Sequence, residues 1–105
     1  MERFGLLENE ITKLHNLFVT FPSIEKVIIY GSRAKGTNSK FSDIDLTLCG
    51  DSITKDDLSK LIFDVDYLLL PYNLDISIYK KITNPDVVSH INRVGDIFYT
   101  KEETA

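Results

Sequence analysis

The stretch Ile28–Gly50, IIYGSRAKGTNSKFSDIDLTLCG, holds a Gly-Ser turn, three cations and then two aspartates that alternate with apolar residues. Strand residues point to opposite faces in turn. DIDLTLC therefore sets Ile44, Leu46 and Leu48 on one face and Asp43, Asp45 and Thr47 on the other. At about 3.3 Å of rise per residue, the two carboxylates stand roughly 6 to 7 Å apart. Their repulsion opposes folding, and a positive group between them would relieve it.

Working outward, KVIIYG before the turn is a β-branched and aromatic run closed by glycine, the pattern of a buried strand. Residues 32–42 form a turn-rich connection, too short for a crossover, so the strands on either side of it are expected to pair antiparallel. The end of the first strand then meets the start of the second, which brings Gly31 and Ser32 toward Asp43 and Asp45. After Gly50, SITKDDLSKLIFDVD spaces Leu58, Leu61, Ile62 and Val65 as one helix face, with Thr54 as N-cap and Asp56 and Asp57 in the first turn. Asp64 and Asp66 extend its solvated side. NLDISIY alternates again, with Asp75, Ser77 and Tyr79 on the polar face. A helix between two strands makes a right-handed parallel crossover, which carries Asp75 to the other two carboxylates.

At the ends of the chain, Leu7, Ile11, Leu14 and Phe18 predict an amphipathic helix from Glu2 to about Thr20. Asn84 and Pro85 open a last helix that stops at Gly95, and DIFYT follows as a short edge strand. With 105 residues and 43% hydrophobic content, the chain is expected to form one domain, residues 1–105. The expected fold is α/β (α+β), a mixed sheet of three to four strands flanked by helices.

The net charge of −4 disfavours direct nucleic-acid binding, which depends on neutralising phosphates. No apolar run is long enough to cross a bilayer and the N-terminus lacks a leader pattern, so a cytoplasmic location is expected. The single cysteine, Cys49, reads as a small core residue, and His15 and His90 as surface residues. Homo-oligomer formation is left open.

Three clustered aspartates without nearby histidine or cysteine suit hard cations, Mg²⁺ or Mn²⁺. Such a cluster can hold two ions about 4 Å apart, an arrangement that serves displacement at phosphorus. Gly31 allows close backbone approach, Ser32 and its neighbouring amides can hold phosphate oxygens, and Arg33 and Lys35 add countercharge. Lys40 reads as part of a solvated loop, and Tyr79 as a residue that could stack on a base. GSRAKG also has the glycine spacing of a P-loop, but Thr37 and Asn38 stand where a lysine and a hydroxyl residue are required.

The pattern "GS", ten residues, then "DID", with Asp75 as a third carboxylate, resembles the DNA polymerase beta-like nucleotidyltransferase superfamily, and within it the minimal MNT type. The resemblance implies the nucleotidyltransferase fold. It implies that Ser32 contacts the triphosphate of ATP, that Asp43 and Asp45 bind metal, and that Asp75 assists metal binding and activation of the acceptor hydroxyl. Larger relatives carry a helical second domain, whereas minimal members pair with a separate helical HEPN protein. Some act as antitoxins by transferring AMP from ATP to a tyrosine of that toxin. Two other roles fit the same residues, a binding antitoxin that needs no catalysis and a nucleotidyltransferase acting on a small molecule such as an antibiotic.

Overall fold

A computed structural model describes residues 3–101. The elements run α1 (Glu8–Val19), β1 (Lys26–Tyr30), α2 (Ser32–Lys35), β2 (Ile44–Cys49), α3 (Lys55–Asp66), β3 (Leu74–Ile78), a 3-10 turn (Tyr79–Lys81), α4 (Pro85–Val94) and β4 (Asp96–Thr100). The strands form one mixed sheet in the order β3-β2-β1-β4. β1 and β2 pair antiparallel with Tyr30 opposite Asp45, and β2 and β3 pair parallel with Asp45 opposite Asp75. Both directions follow from the connection lengths. β4 closes the other edge, antiparallel to β1, and a register shift between Val27 and Ile28 accompanies the burial of two consecutive residues, Phe98 and Tyr99.

Alternation along the strands decides where the core lies. Val27 and Ile29 of β1 and Ile44, Leu46 and Leu48 of β2 are buried together with Leu14 and Phe18 of α1 and Leu61 and Val65 of α3. Each fully buried branched aliphatic side chain contributes about 1.5–3 kcal/mol. α3 begins where the sequence places it: Thr54 Oγ1 accepts from the Asp57 N–H at 3.1 Å, and the Asp57 carboxylate accepts from the Thr54 N–H at 3.0 Å. Ser23 donates to the same carboxylate at 2.9 Å, and these bonds hold the Asp57 carboxyl below its ordinary pKa. α4 opens in the same manner, with Asn84 Oδ1 accepting from the Asp86 N–H at 2.9 Å and Pro85 at the first turn.

Two boundaries differ from expectation. Glu2, the expected start of the first helix, lies outside the described residues, and α1 begins only at Glu8. Phe4 and Gly5 have φ of 58° and 72°, a left-handed backbone that no right-handed helix contains, and Arg3 and Leu6 instead form an isolated bridge. The connection 32–42 is also more ordered than its turn-rich composition suggests, because it begins with the single helical turn α2. Among the described residues no helix is long and apolar enough to cross a membrane.

Candidate active site

The face of the sheet opposite α1 and α3 carries Ile28 and Tyr30 of β1, Asp45, Thr47 and Cys49 of β2, and Asp75 and Ser77 of β3, by the same alternation that builds the core. α4 covers part of this face. It buries Ile91, and Gly95 sits so close to Ile28 that a Cβ there would collide with its side chain. What remains open is a cleft of about 400 Å³ lined by Tyr30, Gly31, Asp45, Asp75, Asp86, Val87 and His90. Clefts of about 490 and 570 Å³ lie beside α3 and beside β4, but neither brings two carboxylates face to face on neighbouring strands. Chemistry rather than size marks the site.

Its wall is the Gly31 turn. Gly31 has φ of 76°, and a Cβ on it would run into Oδ2 of Asp45, so the residue must be glycine for the turn to close over that carboxylate. The Gly31 carbonyl accepts from the Lys35 N–H at 3.2 Å and the Ser32 carbonyl from the Thr37 N–H at 3.0 Å. Gly36, also left-handed at 76°, ends α2 and sends the chain back toward Asp43.

Asp45 and Asp75 are direct neighbours across the β2–β3 ladder, where adjacent strands lie about 4.8 Å apart. Burial raises the pKa of the Asp45 carboxyl, and the charges of Asp75 and then Asp43 raise it further, while His90 opposes them. Tyr30 reaches the same place. Burial raises the pKa of its hydroxyl, Asp75 and Asp45 add to the shift, and a hydrogen bond with Ser77 acts the other way. Ser77 Oγ in turn donates to Thr47 Oγ1 at 3.0 Å, which ties β3 to β2 behind the carboxylates. The ion pairs among the described residues are Lys60–Asp64 and Lys80–Asp51, and neither involves this cluster. A hard divalent cation fits such an oxygen donor set and would supply the missing countercharge. The described side chains are not drawn together into a finished cage of three ligands. Asp45 and Asp75 face each other, while Asp43, exposed one residue before β2, acts on Asp45 through its charge.

Several expected positions are corrected. Arg33, expected at the nucleotide, is 1% exposed and turns inward, its guanidinium taken up by the carbonyls of Phe4, Gly5 and Ser42. Lys40 is exposed, in keeping with its reading as part of a solvated loop, and Lys35 is exposed as well. Cys49 lies on the Asp45 face, partly buried rather than in the core, and burial raises its thiol pKa. His15 is not a free surface residue: its Nε2–H donates to the Phe98 carbonyl at 2.6 Å, and its ring meets Phe98 and Tyr99. Tyr79 leaves β3 for the 3-10 turn and donates to Asn92 Oδ1 at 3.0 Å. Sequence reasoning missed His90, whose ring stands edge-on to Tyr30 with centroids 6.2 Å apart on the α4 side of the cleft. The sequence marks it only as a surface residue; that Val87 and His90 of α4 together border the carboxylates emerges from the packing of α4 on the sheet.

Comparison with known proteins bears on the fold and the family. Among solved structures, the chain is similar to a toxin–antitoxin with AMP-PNP (21% identity, TM-score 0.68, covering 92% of this chain and 76% of that one). It is similar to the toxin–antitoxin MntA–HepT (18%, 0.59, 90% and 70%). It is also similar to the tri-AMPylated Shewanella oneidensis HEPN toxin in complex with MNT antitoxin (18%, 0.60, 90% and 70%). At these identities the likeness shows the fold. No curated protein matches the chain. The family model described as "Polymerase beta, Nucleotidyltransferase" matches residues 12–104, from α1 past β4 and including the Gly31 turn and all three aspartates, so the chain belongs to the polymerase beta nucleotidyltransferase family.

Proposed function

We propose that this chain is a metal-dependent nucleotidyltransferase that transfers AMP from ATP to a hydroxyl acceptor, a tyrosine of a helical HEPN-type partner, and so acts as an antitoxin. The observation that carries the proposal is the cross-strand pair Asp45–Asp75 under the Gly31 turn. A scaffold selected for stability alone has no use for like charges set side by side, whereas a site for a metal-bound triphosphate requires them.

In this account Gly31 and Ser32 hold the phosphates through backbone amides and the serine hydroxyl. Asp43, Asp45 and Asp75 would hold Mg²⁺, two ions being expected, or Mn²⁺ in its place. Bound there, the metal would supply positive charge to offset that of the phosphates and of the leaving pyrophosphate. Asp75, at the open side of the cleft, orients the acceptor hydroxyl and takes its proton as the oxygen–phosphorus bond forms at the α-phosphate and the bond to pyrophosphate breaks. The partner assignment draws on the family and on the structural neighbour in which an AMPylated HEPN toxin is bound to an MNT antitoxin.

The test uses the purified chain, extract of its own cells, Mg²⁺ and ATP labelled at the α-phosphate. A labelled protein band that disappears with Asp43→Asn/Asp45→Asn is the expected result. Label appearing only in small molecules would overturn the protein acceptor, and no transfer at all from a wild type that binds Mg²⁺·ATP would favour a binding antitoxin.

A further inference from the structure

Arg33 directly follows Ser32 in sequence, yet its guanidinium turns away from the cleft and donates to backbone carbonyls. Nε and Nη2 both donate to the Ser42 carbonyl, at 3.2 and 2.8 Å, and Nη1 donates to the carbonyls of Phe4 at 2.9 Å and Gly5 at 3.3 Å. The guanidinium carbon lies 4.8 Å from the centroid of the Tyr72 ring. Tyr72 donates its hydroxyl to Glu10 Oε1 at 3.0 Å, and the same oxygen accepts the Leu7 N–H at 2.8 Å. Glu10 itself is 7% exposed. The guanidinium is thus the centre of a buried polar hub that joins the start of the chain, α1, α2 and the segments entering β2 and β3.

Those last two segments carry the aspartates. Ser42 immediately precedes Asp43, and Tyr72 stands three residues before Asp75. The Ile44 N–H donates to the Asn73 carbonyl at 2.9 Å, so the two segments also hold each other. The left-handed backbone at Phe4 and Gly5 accompanies carbonyls aimed at the guanidinium, and a Cβ on Gly5 would come within 2.8 Å of Nη1. Local strain of this kind persists where surroundings over-determine it. A buried guanidinium is tolerated when its planar fork is met by acceptors, a geometry that an ammonium does not reproduce.

We infer that Arg33 is a positioning residue: through Ser42 and Tyr72 it fixes the entry segments of β2 and β3 and so sets the spacing of Asp43 against Asp75, while making no contact with the nucleotide. The inference rests on the assignment of these carboxylates as the metal and nucleotide ligands, and its test separates the two.

Amide hydrogen exchange and calorimetric Mg²⁺·ATP binding would be measured on wild type, Arg33→Lys and Tyr72→Phe, well below each melting temperature. Arg33→Lys is expected to speed exchange at Ser42 and Ile44 by about tenfold or more relative to Ile29, and to weaken Mg²⁺·ATP binding by about tenfold, the scale of losing a hydrogen bond to a charged group. Tyr72→Phe keeps the ring under the guanidinium and should show the same pattern with a smaller change. Uniformly faster exchange, or local loosening with unchanged Mg²⁺·ATP affinity, would overturn the positioning role. If wild type fails to bind Mg²⁺·ATP, the ligand assignment falls, and the exchange pattern alone then decides whether Arg33 fixes the two segments.

Discussion

The two faces of one sheet divide the work of this molecule. On one, Val27, Ile29, Ile44, Leu46 and Leu48 meet α1 and α3 in a core with almost no solvent contact. On the other, Tyr30, Asp45, Thr47, Asp75 and Ser77 line or back a cleft where like charges are adjacent. Ile44 and Asp45 are consecutive residues, yet the first supports the fold and the second opposes it. The period of two in a strand lets a chain of this size keep a costly site without placing it in the core.

The contrast can be broken or sharpened by substitution, starting with the largest expected effect. Asp45→Asn should lower AMP transfer by at least about a hundredfold, the scale of removing one preorganised electrostatic contact, while the melting temperature of the metal-free protein stays equal or rises. Measuring both on one preparation tests whether function and stability part company at this residue. Leu46→Ala, on the opposite face, should cost about 2–5 kcal/mol in denaturant unfolding, with activity lost only in proportion to unfolding. Gly31→Ala crosses the boundary. It should cost about 1–3 kcal/mol in backbone strain and also weaken nucleotide binding, because its Cβ displaces Asp45. Thr54→Ala, remote from the cleft, should cost about 0.5–2 kcal/mol and leave Mg²⁺·ATP affinity unchanged.

A pH series sharpens the same point. Asp45 has a raised pKa, so the native state binds its proton more tightly than the unfolded chain does. Its charge penalty is present above that pKa and is relieved as pH falls through it. The melting-temperature advantage of Asp45→Asn over wild type, without metal, should therefore be largest at neutral pH and shrink on acidification.

Much of this was legible in the sequence because it rests on periodicity and connection length. Alternation in DIDLTLC and NLDISIY placed Asp45 and Asp75 on one face, and the connections set the strand directions. Less legible were features set by distant backbone. Arg33 looks like a countercharge for the nucleotide until the carbonyls of Phe4, Gly5 and Ser42 converge on it. α2 is a single turn between two left-handed glycines, which composition alone cannot distinguish from a loop. His15 and His90 owe their partners to packing against β4 and β1, which no local pattern encodes.

The central claim is that the Asp45–Asp75 face binds a metal nucleotide and does so at the expense of stability. Calorimetric titration of Mg²⁺·ATP into wild type and Asp45→Asn/Asp75→Asn, paired with thermal unfolding of the metal-free proteins, tests it most directly. Wild type is expected to bind, the variant not to bind, and the variant melting temperature to equal or exceed that of wild type. A variant that still bound Mg²⁺·ATP, or that lost binding only because it unfolded, would contradict it.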